Sequence, residues 1–316
     1  MPRKRETKTI TFEYKPNPPL GPNAIRWHHR PGPAVFWNNA GMIGAGDRLE
    51  VAREAACSGG RVLMEAFQQG DLEIERKAAH DFVTSADRAS EKAILELVAG
   101  RCPGDQILSE EEGLVGPASD YQWIVDPLDG TTNFLRGLPV FGVSVACRCA
   151  GETIVGVVFD PVNDRLYCAE RGAGAECDGR RLEVSGRGGL EGAFLATGFP
   201  FRAREGLDLY LEIFRRVFGA AGAIRRCGAA VLDLAHTAAG VYDGFFEFRL
   251  SAWDLAAGAL LIEEAGGRVS DLDGGRRYLA TGNLIAGSPR VHAELLEKIA
   301  AVAGEAELAR IFPQDS

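Results

Sequence analysis

The sequence predicts a layered α+β fold, on three observations. Helical periodicity dominates residues 47–99. A run of strand-like segments joined by short turns fills 140–184. Beyond that, helical and strand-like stretches mix without a regular β-α-β-α alternation, as expected of segregated layers. The 316 residues suffice for a real core in one large domain or two intimately packed ones.

Residues 1–46 stand apart. Arg3, Lys4, Arg5 and Lys8 open them, and six prolines from Pro16 to Pro33 follow. No apolar run succeeds the basic start, so a secretory signal is not expected, and a flexible tail is. Met42 just precedes the first helix and is an alternative start. Asp47 reads as the N-cap of a helix running to about Gln69, on the spacing of Leu49, Ala52, Ala55, Ala56, Leu63 and Phe67. A short strand is expected at 74–79. Thr84 and Ser85 open a second helix to about Ala99, with Asp87 in its first turn. Ile107 and Leu108 form a short strand, followed by Glu110, Glu111 and Glu112. Strands at 140–149, 153–159 and 165–169, separated by tight turns, predict an antiparallel meander. Helices are expected at 206–218, 228–239, 253–265 and 289–303, with strands at 242–250, 268–271 and 284–286 between them.

The bulk chemistry narrows the partners. A net charge of −9 and a pI of about 5.2 argue against generic nucleic-acid binding, which wants a basic face. No segment is long and apolar enough to span a membrane, so no membrane partner is expected. The 7 cysteines are odd in number and contain no C-x-x-C, which predicts buried free thiols and a reducing, cytoplasmic setting. The histidines show no ligand spacing, so zinc is not expected.

Residues 123–134 read Trp-Ile-Val-Asp-Pro-Leu-Asp-Gly-Thr-Thr-Asn-Phe. An apolar strand stops at Asp126, Pro127 forbids further pairing, and Asp129 with Gly130 turns the chain. Two carboxylates in one loop suit a hard divalent cation, and the Gly-Thr-Thr that follows offers N–H groups and hydroxyls to a phosphate. Asp87, the Glu110–Glu112 run and Asp254 are further acidic groups at strand ends or helix starts. Taken singly, Asp87 and Asp254 can serve helix N-termini and the glutamates can be a solvated run. Taken together, they read as one cation site.

The 123–134 segment resembles the first signature of the inositol monophosphatase family. Trp253-Asp-Leu-Ala-Ala-Gly258 with Glu264-Ala-Gly-Gly267 is similar to its second, and Leu108-Ser-Glu-Glu111 to its acidic segment. The resemblance implies an α/β/α/β/α sandwich over residues 47–316, with an α+β half at about 47–185 carrying the metal site and an α/β half at 186–316. It implies two to three Mg2+ ions per subunit. Glu110, Asp126 and the Leu128 carbonyl would hold one, Asp126, Asp129 and Asp254 a second, and a third would sit near Glu110. Thr131 and Glu110 would position the attacking water, with Asp87 behind Thr131 and Glu111 supporting them. Gly130 and Thr131 would offer N–H groups to the phosphate. Gly228, Ala229, Ala230 and Glu247 would contact the substrate beside Asp129 and Asp254. A homodimer and lithium sensitivity are further family traits. The 46-residue leader has no family counterpart.

The implied activity is hydrolysis of a small phosphorylated substrate, with inositol 1-phosphate the first choice. No Cys sits in a C-x5-R cradle, so no phosphoenzyme is expected. Thr132 stands where relatives acting on nucleotide bisphosphates, and some on histidinol phosphate, carry Lys. The same chemistry on histidinol phosphate, fructose 1,6-bisphosphate or a nucleotide 3′,5′-bisphosphate is the alternative, and an inactive binding protein on this fold the remote one. Arg249 is open between a substrate contact and a solvated loop residue.

Overall fold

The computed structural model describes residues 45–69, 74–78, 81–200 and 206–302. The expected tail lies outside the described residues, save Ala45 and Gly46, which open the first helix. α1 (Ala45–Gln69) buries Val51, Ala52, Ala55, Ala56 and Leu63 on one face, as their spacing requires. A two-stranded hairpin, β1 (Ile74–Ala78) and β2 (Asp81–Thr84), leads into α2 (Ser85–Arg101). A capping box starts α2. Thr84 Oγ1 accepts from the Ala86 and Asp87 N–H groups, and Asp87 Oδ2 accepts from the Thr84 N–H at 2.9 Å.

The large sheet has eight strands: β3 (Gln106–Ser109), β4 (Gly113–Val115), β5 (Tyr121–Asp129), β6 (Gly142–Cys149), β7 (Glu152–Asp160), β8 (Arg165–Glu170), β9 (Gly174–Cys177) and β10 (Arg180–Arg181). Their order is β10-β9-β8-β7-β6-β5-β3-β4, antiparallel except for the parallel β3–β5 pair. The expected meander is the β6–β7–β8 core. A short helix, α3 (Thr131–Leu135), connects β5 to β6.

The smaller sheet comprises β11 (Phe194–Thr197), β12 (Ala223–Arg225), β13 (Gly244–Glu247), β14 (Arg268–Ser270) and β15 (Leu284–Gly287), ordered β12-β11-β13-β15-β14. Around it lie α4 (Leu207–Phe218), α5 (Ala230–Ala238), α6 (Ala252–Glu264), α7 (Tyr278–Thr281) and α8 (Pro289–Ala300).

Side-chain alternation assigns the layers. On β5–β7, Trp123, Val125, Val143, Val145, Val155 and Val157 pack with α1 and α2. The opposite-facing Ile124, Ala146 and Val158 pack with α5 and α6. Phe245, Leu284 and Ala286 of the smaller sheet meet the same two helices from the far side. Phe246, Leu195 and Ile285 face outward onto Tyr210, Ile213, Val291 and Leu295 of α4 and α8. The order α1α2–sheet–α5α6–sheet–α4α8 is the expected α/β/α/β/α sandwich.

The middle layer is apolar all round because sheets cover both its sides. Gly156 on β7 lets α6 touch the sheet backbone: a Cβ there would lie 2.9 Å from the Ala257 Cα. All 7 cysteines are free thiols. Among the described residues no helix is long and apolar enough to cross a membrane.

One expected boundary is corrected. β5 does not stop at Asp126. Asp126 pairs with Ser144, and pairing resumes where Asp129 meets Gly142, so β5 carries one extra residue. This is a bulge, and Pro127, which lacks an N–H, is accommodated inside it.

Candidate metal centre and substrate cavity

The bulge is what makes the site. Residues three apart on a regular strand point to opposite faces. The extra residue brings Asp129 back to the side of Asp126. Asp126 follows Ile124 on the face that looks toward α6, where Asp254 occupies the first turn. Carboxylate oxygens of Asp126, Asp129 and Asp254 thus lie within 4.8 Å of one another.

Each carboxylate is held in place. Asp126 Oδ1 accepts from the Leu128 N–H at 3.0 Å. Asp129 Oδ2 accepts from the Val231 N–H at 2.8 Å, which ties β5 to α5. Asp254 Oδ2 accepts from the Ser251 N–H at 2.7 Å in a second capping box. Asp87 and Asp254 both cap helices, and Asp254 lies with Asp126 and Asp129 as well. Ser144 Oγ donates to the Trp253 carbonyl at 3.0 Å and fastens the start of α6 to β6.

The electrostatics favour a cation. Asp126 is 1% exposed. Burial, then the charges of Glu110, Asp129 and Asp254, push its carboxyl well above the usual carboxylate range. Converging acids on a rigid frame are costly unless a positive charge sits among them. The donor set is all oxygen, which fits a hard ion such as Mg2+.

Glu110 follows β3, its N–H donating to the Val125 carbonyl at 3.3 Å. The turn that carries it is gripped from α2. Glu91, buried on that helix, accepts from the Ser109 hydroxyl and from the N–H groups of Glu111 (3.1 Å) and Glu112 (3.2 Å). Ser90, beside it, donates to the Pro127 carbonyl at 2.9 Å. Asp87 completes this polar stripe. Thr131 Oγ1 lies 3.4 Å from Asp87 Oδ1 and 3.1 Å from the Leu128 carbonyl, and can donate to either. Burial raises the Asp87 carboxyl to about 6 against the lowering effect of its Thr84 bonds, and the Glu111 charge adds to the rise.

The expected substrate contacts converge too. Gly228, Ala229, Ala230, Glu247, Asp129 and Asp254 line one cavity of about 170 Å³. Gly130, at φ 88°, has no room for a side chain: a Cβ would lie 2.9 Å from the Val140 carbonyl and 3.3 Å from the Ala229 Cβ. Asn133 donates to the carbonyls of Val140 (2.8 Å) and Cys227 (2.9 Å), locking α3 to the turn before α5. Arg249, at φ 63°, lies on the cavity wall.

Sequence reasoning missed Ser90, Glu91, Asn133, Arg226 and Asp233. A signal existed for three. Ser90 and Glu91 are polar at positions of the α2 stripe that Ile94 and Val98 continue. Asp233 is the lone acid in α5, flanked there by Leu232 and Leu234.

The comparisons agree with this fold. A model of the inositol monophosphatase family matches residues 47–305. The Nus factor SuhB of Pseudomonas aeruginosa is 48% identical over 257 residues, covering 79% of this chain and 95% of that protein. The crystal structure of the extragenic suppressor protein suhB from Bartonella henselae superposes with a TM-score of 0.77 at 42% identity, covering 80% of this chain and 98% of that one. An inositol monophosphatase from Anabaena gives 0.74 at 35%, covering 83% and 98%. The Nus factor name corrects one expectation. Nus factors belong to transcription, so the reading of no nucleic-acid partner does not hold. The physical reason is that net charge averages the whole surface.

Proposed function

The chain belongs to the inositol monophosphatase family, and from that premise we propose that it hydrolyses a small polyol phosphate monoester, inositol 1-phosphate first among them, with Mg2+. The convergence of Asp126, Asp129 and Asp254 carries this reading. With Glu110 and the Leu128 carbonyl, these residues would hold two ions, and a third near Glu110. Bound Mg2+ supplies the positive charge that a dianionic phosphate needs and acidifies the attacking water.

The chain's own residues do the rest. Asp87 accepts a hydrogen bond from the Thr131 hydroxyl, which leaves the Thr131 oxygen free to accept a hydrogen bond from water. Glu110 accepts the water's other hydrogen bond and takes that one proton as the new P–O bond forms, while the departing alcohol oxygen takes a proton from solvent. N–H groups of Gly130 and Thr131 orient the phosphate. The cavity beyond, with Glu247 on its wall, takes the alcohol portion and excludes bulk water. Seven free thiols suit a cytoplasmic setting.

The test is a substrate panel with and without Mg2+: inositol 1-phosphate, histidinol phosphate, fructose 1,6-bisphosphate and a nucleotide 3′,5′-bisphosphate. Inositol 1-phosphate is expected to give the highest kcat/KM. A much faster rate on another member would replace the substrate, and no Mg2+-dependent rate on any member would remove the reaction.

The Nus factor name of relatives favours a second reading, a role in transcription carried by the same fold. Asp126→Asn separates the two, because a binding role survives loss of the metal centre and hydrolysis does not.

A further inference from the structure

Asp233 is 2% exposed, sits on α5, and borders the substrate cavity. Among the described residues no donor reaches its carboxylate. The hydrogen bonds of this residue are those of its backbone, to the Ala229 carbonyl and from the Thr237 hydroxyl. Glu247, across the cavity at the end of β13, is likewise without a donor among the described residues. Buried carboxylates in folded proteins are almost always paired, because leaving one unpaired forfeits its hydration. Asp233 is such a group, and with the half-buried Glu247 lining the same cavity it points to donors that arrive with a ligand.

Chemistry identifies the ligand. Asp233 and Glu247 offer acceptor oxygens to a cavity that Asp129 and Asp254 also line. The alcohol portion of a polyol phosphate supplies matching donors, its hydroxyls, while the phosphate itself supplies only acceptors.

We propose that Asp233 is a specificity-determining residue, which with Glu247 accepts hydrogen bonds from two hydroxyls of a neutral polyol whose phosphate lies at the metal centre. This rests on the phosphatase reading for its phosphate end. Burying this carboxylate also costs stability, as functional groups often do.

The experiment compares wild type with Asp233→Ala and Asp233→Asn on inositol 1-phosphate and on p-nitrophenyl phosphate, which has no hydroxyls to offer. Loss of a hydrogen bond to a charged acceptor should raise KM for inositol 1-phosphate about 10- to 100-fold, with kcat moved much less. The p-nitrophenyl phosphate rate should change less than about twofold, and both variants should melt at or above the wild-type temperature. An equal fall on both substrates, an unchanged KM, or a lower melting temperature would overturn the assignment. Calorimetric titration of inositol 1-phosphate into the Mg2+-loaded proteins gives a readout independent of turnover. If wild type binds the ligand but does not hydrolyse it, and Asp233→Ala binds it at least about tenfold more weakly, the assignment stands while the phosphatase reading falls. If wild type and variant bind equally, or neither binds, the assignment falls.

Discussion

Replacing Asp126 by Asn tests the metal centre through stability as well as rate. Asn keeps the size of the side chain and an oxygen for the Leu128 N–H. It removes one charge from a cluster whose oxygens lie within 4.8 Å of one another. At an effective dielectric constant of about 20, two charges that far apart repel by roughly 3 kcal/mol. Asp126 can escape part of that by taking up a proton, which its raised carboxyl favours. The metal-free variant should therefore be as stable as wild type or more so, by up to about 3 kcal/mol. Mg2+ should act in the opposite sense. An ion at 100 times its dissociation constant stabilises wild type by about 2.7 kcal/mol, a few degrees of melting temperature, and the variant should lose that gain. Calorimetric melts with Mg2+ and with EDTA read both effects. A variant that melts lower than wild type in EDTA yet keeps the Mg2+ shift would show that Asp126 is a structural carboxylate and not a ligand.

Asp87 makes stability depend on pH. Its folded value of about 6 lies above the ordinary 3.8, so the folded state takes up the proton first. Its contribution is complete below about pH 4 and lost as pH rises through about 6, roughly 3 kcal/mol in all; urea melts across that window should flatten in Asp87→Asn. Glu91→Ala removes the acceptor that holds the Glu110 turn, and should raise the Mg2+ concentration for half-maximal activity about 10- to 100-fold; an unchanged Mg2+ titration would mean that the turn holds itself. Gly258 on α6 has no space for a side chain, since a Cβ would lie 2.5 Å from the Leu234 Cβ of α5. Gly258→Ala should cost about 1–3 kcal/mol in denaturant melts despite the better helix propensity of Ala.

The layers were legible because periodicity is a local property. The α1 spacing, the β6–β8 meander and the capping residue Thr84 are all written in neighbouring residues. β11 and β12 were not, being four and three residues long, with pairing that depends on strands far away in sequence. β5 shows the limit most clearly. Pro127 argued for an end to the strand, and the structure uses it inside a bulge, since only the partner β6 reveals that pairing resumes at Asp129. The same bulge decides whether Asp126 and Asp129 can share an ion.

The acidic cluster was readable through its motifs, and the groups that hold or complement it were not. Glu91 looks like any helix glutamate until the Glu110 turn is laid against it. Asp233 looks like a flaw between two leucines until Glu247, Arg226 and Arg249 close the cavity around it.

The central claim is that these carboxylates gather Mg2+ to cleave a phosphate monoester. Phosphate release from inositol 1-phosphate, measured for wild type in Mg2+, in EDTA, and in EDTA with Mg2+ restored, tests it most directly. Turnover is expected in Mg2+, none in EDTA, and recovery on restoration. Turnover that persists in EDTA, or no turnover in Mg2+ by protein shown to bind the ion, would contradict it.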